Sequence, residues 1–414
     1  MTQRCSIAVI GAGLVGVCCA LSLCRDGHDV VLFEPNEIGG GASFGNAGLI
    51  SSGACVPTGM PGMAKKLPGM LMSAKGPLAI HWRYLPWILP WFLRLHKASQ
   101  PARIEQISVA LASLLDRAES AYRNLLSKAD YRTYIKAKGL LFPYKSEASF
   151  EGAAVSRALR ERRGVRFEVL DRPQLRQRQP ALARDHIKAV YFPEARHVVD
   201  PQRLTQSLAD LFVEASGTVV TEKVDAIAID RDGRPVLETS AEQRQFDKVV
   251  VATGAWSKPL AAMCGARVPL DTERGYHATL PDPQVKVGVP MISGDYSVAI
   301  TPMRDGLRVS GMVEFAGLNA APDFRHADRL ITIAEELLPG LSRQGARFWM
   351  GFRPSLPDSL PIIGPAPSTD KVLFAFGHGH LGVTYAAVTG QLVADLALGR
   401  QSPIDLAPFS ATRF

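Results

Sequence analysis

The sequence predicts an α/β fold: a discontinuous Rossmann-like nucleotide-binding domain joined to a second α+β domain on a mixed, largely antiparallel sheet. Three observations carry this. Ile7-Ala8-Val9-Ile10 runs directly into Gly11-Ala12-Gly13-Leu14-Val15-Gly16, and Val30-Val31-Leu32-Phe33 ends in Glu34, eighteen residues after Gly16. Two further apolar runs of strand length, Phe246 to Ala252 and Val372 to Phe376, stand in the middle and near the end of the chain. Between 268 and 315, Gly, Asp and Pro punctuate apolar stretches at short intervals, as in antiparallel strands.

The first segment, 6–34, reads as a βαβ unit. Gly11 permits the tight turn, Gly13 lets the backbone approach a pyrophosphate, and Gly16 lets the helix pack closely on the strand. The helix start offers unpaired N–H groups and a positive dipole end to phosphates. Glu34, followed by Pro35, stands where it would accept hydrogen bonds from ribose hydroxyls.

Gly39 to Gly48 follows, with side chains small enough for backbone to wrap a ligand, Ser43 and Asn46 among them. Residues 57–97, rich in Pro, Met and Trp, read as an irregular excursion. Helical periodicity runs from 101 to 130 and from about 147 to 163. Residues 218–238 alternate, a helix is expected near 327–338, and a last helix follows Gly377-His378-Gly379-His380-Leu381-Gly382 and ends near Gly399. The simplest assembly places 1–56, 195–258 and 340–414 in the nucleotide-binding domain, and 57–194 with 259–339 in the second.

Composition bounds the function. A chain of 414 residues with 47% hydrophobic and 21% charged residues is that of a folded globular protein. The net charge of +8 comes from scattered Arg and Lys, which suits a field attracting small carboxylates or a membrane surface better than nucleic acid. The six cysteines show no metal or C-x-x-C spacing, and three fall on the first helix, so reduced core thiols are expected and no metal. The N-terminus enters a strand at once, without room for a signal peptide, and no apolar run reaches membrane-spanning length. A cytoplasmic location follows as the expectation.

Five segments resemble the FAD-dependent D-amino acid dehydrogenase family, related to glycine and D-amino acid oxidases. They are the N-terminal fingerprint, Asn46-Ala47-Gly48-Leu49-Ile50-Ser51, Arg274-Gly275-Tyr276, Gly351-Phe352-Arg353-Pro354 with Pro357-Asp358, and Gly377 to Gly382. The resemblance spans nearly the whole chain in the family's order. It implies that the dinucleotide is FAD and that electrons come from an amino acid, with hydride passing from Cα to flavin N5. Gly48 to Ser51 would pass the isoalloxazine, and Val224 and the Thr253-Gly254 turn, with Trp256, would meet the ADP half. Gly379, His380, Leu381, Gly382, Val383 and Thr384 would aim a helix start at the flavin N1/C2 region, favouring negative charge there. No cysteine lies in the C-terminal segments, so FAD is expected to be noncovalent.

The resemblance also places Arg353 where relatives hold the substrate carboxylate, a task suited to a planar guanidinium. His380 matches a second substrate-facing position, equally compatible with a structural histidine, and water or His380 could take the amine proton. Arg274 and Tyr276 could line the pocket; plain sheet packing is the alternative for Tyr276. The expected function is oxidation of a D-amino acid, or a cyclic relative such as D-proline or hydroxy-D-proline, with a quinone or respiratory carrier as acceptor. A glycine- or sarcosine-type oxidase releasing peroxide and a non-catalytic flavin relay are the alternatives. Finally, 81–97 holds three of the five tryptophans beside Arg83, Arg94 and Lys97. Peripheral contact with the inner face of the cytoplasmic membrane is one reading and a buried cap the other, with Pro86 and Pro90 expected to cut the segment into short pieces.

Overall fold

The protein is described from a computed structural model, which covers residues 4–62, 73 and 76–414. Its first sheet has six strands in the order 218–220, 29–33, 6–10, 248–251, 369–376, 362–366. All neighbours are parallel except the last pair, a hairpin. Helices Leu14–Arg25 and Gly382–Ala397 pack against each other on this sheet, and Cys18, Cys19, Leu21, Tyr385 and Val388 share one core there. Cys18, Cys19, Cys24, Cys55 and Cys264 are buried free thiols, and burial pushes the Cys18 and Cys19 thiols up.

Among the described residues the second sheet has nine strands, largely antiparallel, and includes 271–280, 306–315, 299–303 and 347–355. One face packs on the helix Arg325–Leu337 through Tyr276, Ala278, Leu330, Ile331 and Ala334. The other face meets the glycine-rich loop, because His277 contacts the Gly45 carbonyl and Arg308 donates to the carbonyls of Phe44 and Asn46.

Two boundaries differ from expectation. The strand Arg347–Ser355 lies in the segment assigned to the nucleotide domain, yet pairs along its whole length with Asp271–Leu280 in the second sheet. The helix Pro101–Leu125, assigned to the second domain, packs Leu111, Leu114 and Tyr122 into the core of the first. Backbone pairing and burial, rather than chain order, decide membership.

Residues 81–98 are also more regular than expected. Pro86 falls in the first helical turn, where its missing N–H costs nothing, and Leu85–Ala98 continues as one helix through Pro90. Ile88 and Trp91 are buried, Trp91 against Phe315 with ring centroids 5.3 Å apart. Trp82 and Trp87 are 72% and 76% exposed, and Leu85, Leu89 and Leu93 extend that outer face. The cap and the exposed apolar surface are two sides of one helix. Among the described residues, no helix is long and apolar enough to cross a membrane.

Candidate functional site

The glycine fingerprint is a close-packed turn with one open side. Gly11 has φ +100°, and a β-carbon there would stand 2.7 Å from the Ala252 carbonyl oxygen. A β-carbon on Gly16 would stand 1.8 Å from the Gly11 oxygen, so the helix approaches this turn only because residue 16 is glycine. Gly13 is different: the nearest atom to its would-be β-carbon is Ser43 Oγ at 3.7 Å. Gly13 also caps the helix Leu14–Arg25 without a side-chain bond to its first turn. This is the form of a phosphate site, an open glycine at a helix start whose cap residue brings no side chain to the first turn, although Ser43 takes the Leu14 N–H.

Its surroundings are tied together. Ser43 Oγ accepts the Leu14 N–H at 2.9 Å, and Val15 is half-buried on the same helix. Glu34 is half-buried, and its carboxylate accepts from Ala12 N at 2.9 Å and Asn36 N at 3.1 Å, while Pro35 is exposed. Asn46 Oδ1 accepts the Gly48 N–H at 2.8 Å, beside half-buried Ala47. Thr384 donates to the Leu49 carbonyl at 3.1 Å, which links the strand Leu49–Ile50 to the start of the last helix. That helix also begins without a side-chain cap, at Leu381, and Tyr122 donates to Val383 O at 2.6 Å. The half-buried Thr253-Gly254 turn leaves open space beside Gly254. Val224 packs its side chain in the core with Phe33 and Phe246. Trp256 is 52% exposed and stands edge-on to Phe352, outside the enclosed region.

A cavity of about 120 Å³ opens between the last helix and the second sheet, lined among others by Glu273, Ser355, Gly377, Gly379 and His380. Arg353 stands directly across the strand pair from Glu273. Its guanidinium donates to Met312 O at 2.8 Å and Gly311 O at 3.3 Å, two of five N–H groups, and keeps part of its surface open. Burial lowers the pKa of this guanidinium, and Glu273 opposes that shift. Glu273 meets His380 Nε2 at 2.6 Å. Burial alone would push the Glu273 carboxyl up, but His380 and Arg353 outweigh it and hold the carboxyl below the usual glutamate range. The cavity wall thus carries a buried carboxylate paired with a histidine, and Arg353, a cation able to clamp a carboxylate, stands on the neighbouring strand opposite that acid.

The structure places Arg274 and Tyr276 elsewhere. Strand alternation puts them on the opposite face of the sheet, under the helix Arg325–Leu337. Arg274 is fully buried and donates to the carbonyls of Gly317, Ala320 and Ala321. The Tyr276 hydroxyl donates to Glu314 Oε2 at 2.6 Å and accepts from Asp323 N. Both have their polar atoms engaged in holding the loop that follows Phe315, which corrects their expected place at the pocket.

Three residues on the loop-facing side escaped the sequence reading besides Glu273. His277 stacks on Trp349 with centroids 5.1 Å apart, and burial lowers its pKa to about 3. Trp349 lies over Gly45 and Gly351, since a β-carbon on either would come within 1.9 Å of its ring. The signal was present: two steps of alternation from Arg353 lead through Gly351 to Trp349. Arg308, buried, clamps the glycine-rich loop from the second sheet at 2.8 and 2.9 Å. A lone arginine between Leu307 and Val309 was its only trace in the sequence.

The chain is 38% identical to a protein named D-amino-acid oxidase from Bradyrhizobium diazoefficiens, covering 99% of this chain and 98% of that one. It is 30% identical to a D-amino acid dehydrogenase from Rhizobium johnstonii, covering 99% of both. Among solved structures, glycine oxidase from Geobacillus kaustophilus superposes with a TM-score of 0.75 at 22% identity over 100% of each chain. L-proline dehydrogenase from P. horikoshii gives 0.72 at 18% identity, over 100% of this chain and 95% of that one. The profile of the DAO family, described as FAD dependent oxidoreductase, matches residues 6–396, and the chain belongs to that family.

Proposed function

We propose that the protein oxidises a D-amino acid, or a cyclic D-imino acid such as D-proline or hydroxy-D-proline, to the imino acid. Bound FAD supplies the two-electron acceptor, and the chain's own groups bind and orient the substrate. The observation that carries this reading is Arg353: a part-exposed guanidinium that gives two of its five N–H groups to backbone carbonyls and stands across the strand pair from Glu273 of the cavity wall. It would hold the α-carboxylate, and remote binding of that kind orients the reacting carbon. FAD would lie noncovalently along Gly11–Gly16, Glu34, Ser43, Asn46–Ile50, the Thr253-Gly254 turn and Gly379–Thr384. The names of the relatives support a D-amino acid as donor.

For electrons, we favour a quinone or respiratory carrier over oxygen. The exposed face formed by the turn 82–84 and the helix Leu85–Ala98 supports this, because Trp82, Trp87, Leu85, Leu89 and Leu93 stand out beside Arg83, Arg94 and Lys97. Such a face suits peripheral contact with an anionic bilayer, where a lipid-soluble acceptor resides. The relative named an oxidase favours oxygen as the second reading.

The test is anaerobic bleaching of the bound flavin by a panel of D- and L-amino acids that includes D-proline and cis-4-hydroxy-D-proline. Bleaching by one or more D-forms is expected. A flavin that stays oxidised throughout would overturn the reading. Oxygen uptake with peroxide, compared with reduction of a soluble quinone, then separates the two acceptors.

A further inference from the structure

The Glu273 side chain is 4% exposed; His380 Nε2 meets its Oε2 at 2.6 Å, and the Ser355 hydroxyl also acts on the carboxyl. Burying a carboxylate is costly unless it is paired. Here the pairing has a consequence for the histidine. Arg353 and the hydrogen bond from His380 hold the carboxyl below the usual glutamate range, so it is ionised at neutral pH, and an ionised carboxylate can only accept. The 2.6 Å contact therefore carries its hydrogen on His380 Nε2. A neutral imidazole bears one N–H, so Nδ1 is left as a bare lone pair. The His380 side chain is 39% exposed and borders the cavity, so that lone pair is accessible. His378, two residues earlier, is unsuited: it is buried, bonded to Thr389 at 2.9 Å, and burial lowers its pKa to about 3.

We propose that Glu273 is a positioning residue that fixes the Nε2–H tautomer of His380, so that His380 Nδ1 accepts the proton released by the substrate's ammonium group. This rests on the amine-oxidation reading above. In the step, one ammonium N–H bond breaks, its electron pair stays on the nitrogen, and a new N–H bond forms at Nδ1. No electrons are transferred to an acceptor, and the positive charge moves from substrate to imidazole, where Glu273 offsets it. The other charged or titratable groups around the pair leave this arrangement intact. Arg353 stands on the neighbouring strand, and Asp271 two residues away accepts the Tyr84 hydroxyl at 3.0 Å. Lys258 acts on Asp271 from the helix Ser257–Met263, and His378 is neutral.

The experiment uses the FAD-loaded protein. Nitrogen-15 spectra of labelled histidine should show His380 protonated at Nε2 and bare at Nδ1, and Glu273→Gln should mix or reverse the two forms. In parallel, anaerobic flavin reduction by D-proline and D-alanine is followed across pH. Glu273→Gln should slow it roughly 10²-fold at neutral pH with little change in KM. That deficit should close at high pH, where the substrate amine arrives without its extra proton. A wild-type His380 protonated at Nδ1, or a deficit constant across pH, would overturn the proposal. Should Glu273→Gln not fold, His380→Asn decides: the same pH-closing deficit supports the proposal and wild-type rates overturn it. If no D-amino acid bleaches the wild-type flavin, the amine-oxidation reading falls and this inference with it, whereas a failure confined to the tautomer or the pH profile leaves that reading standing.

Discussion

The Arg353 guanidinium rests on the α-carbon of Gly275, so closely that a β-carbon there would stand 2.1 Å from Cζ. The arginine leans along the sheet surface from its place opposite Glu273, and the absence of a side chain at 275 is what makes room for it. Gly275→Ala should therefore displace the guanidinium while sparing the FAD segments. The expected outcome is an unchanged flavin spectrum and at least a tenfold loss in the rate of anaerobic reduction by the best D-amino acid, a barrier increase of about 1.4 kcal/mol. Wild-type turnover in this variant would remove Arg353 from the substrate.

Arg353→Lys tests the same contact from the other side. Lysine preserves the charge but not the planar fork, and it cannot serve Met312 O, Gly311 O and a carboxylate together as arginine does. With a charged hydrogen bond worth about 1.5–3 kcal/mol, kcat/KM should fall by about two orders of magnitude. Steady-state kinetics beside a circular dichroism spectrum check this; amines lacking a carboxylate should be little affected.

Arg308→Met removes the clamp on the Phe44 and Asn46 carbonyls from the second sheet. Two charged bonds are lost from a loop expected to border the cofactor, so FAD should dissociate at least tenfold more readily. Fluorescence of released flavin during dilution measures it. Glu34→Ala should also weaken retention, by roughly 1–3 kcal/mol if its carboxylate meets the ribose. FAD affinity unchanged in both would place the cofactor away from this loop and the second strand.

Acid should destabilise the fold well above the carboxylate range. Burial lowers the pKa of His197 to about 4 and those of His277 and His378 to about 3, against 6.5 when exposed. Below pH 6.5 the unfolded chain takes up protons at these positions that the folded chain refuses. Their contribution is thus fully present above pH 6.5 and lost as pH falls toward 3–4. Tm should decline through that window, and His277→Gln should flatten the decline; an unaltered slope would show that His277 does not resist protonation.

Trp82→Ser with Trp87→Ser should reduce sedimentation with anionic vesicles while leaving dye-linked turnover and Tm near wild type, since both rings are exposed. Trp91→Ser should instead lower Tm, because that ring is packed on Phe315. Equal vesicle binding by the double variant would assign the exposed face another role.

By itself the sequence determined the nucleotide half. The glycines, the acid at Glu34 and the apolar strands are local signals, because a phosphate-binding turn is built from contiguous residues whose spacing is set by backbone geometry. Arg353 and His380 stand out in the sequence in the same way, each in a short motif with glycines. The face of the second sheet was not. The strand Asp271–Leu280 is buried on both sides, so no alternation of polar and apolar residues shows which side meets the loop. A shift of one residue exchanges Arg274 and Tyr276 for Glu273, Gly275 and His277. Only pairing with Arg347–Ser355 and Gly306–Phe315, and packing of Arg325–Leu337 on the far side, settled that choice. The Glu273–His380 contact spans 107 residues of chain, as does no local motif, and its existence follows from the tertiary approach of the last helix to the second sheet.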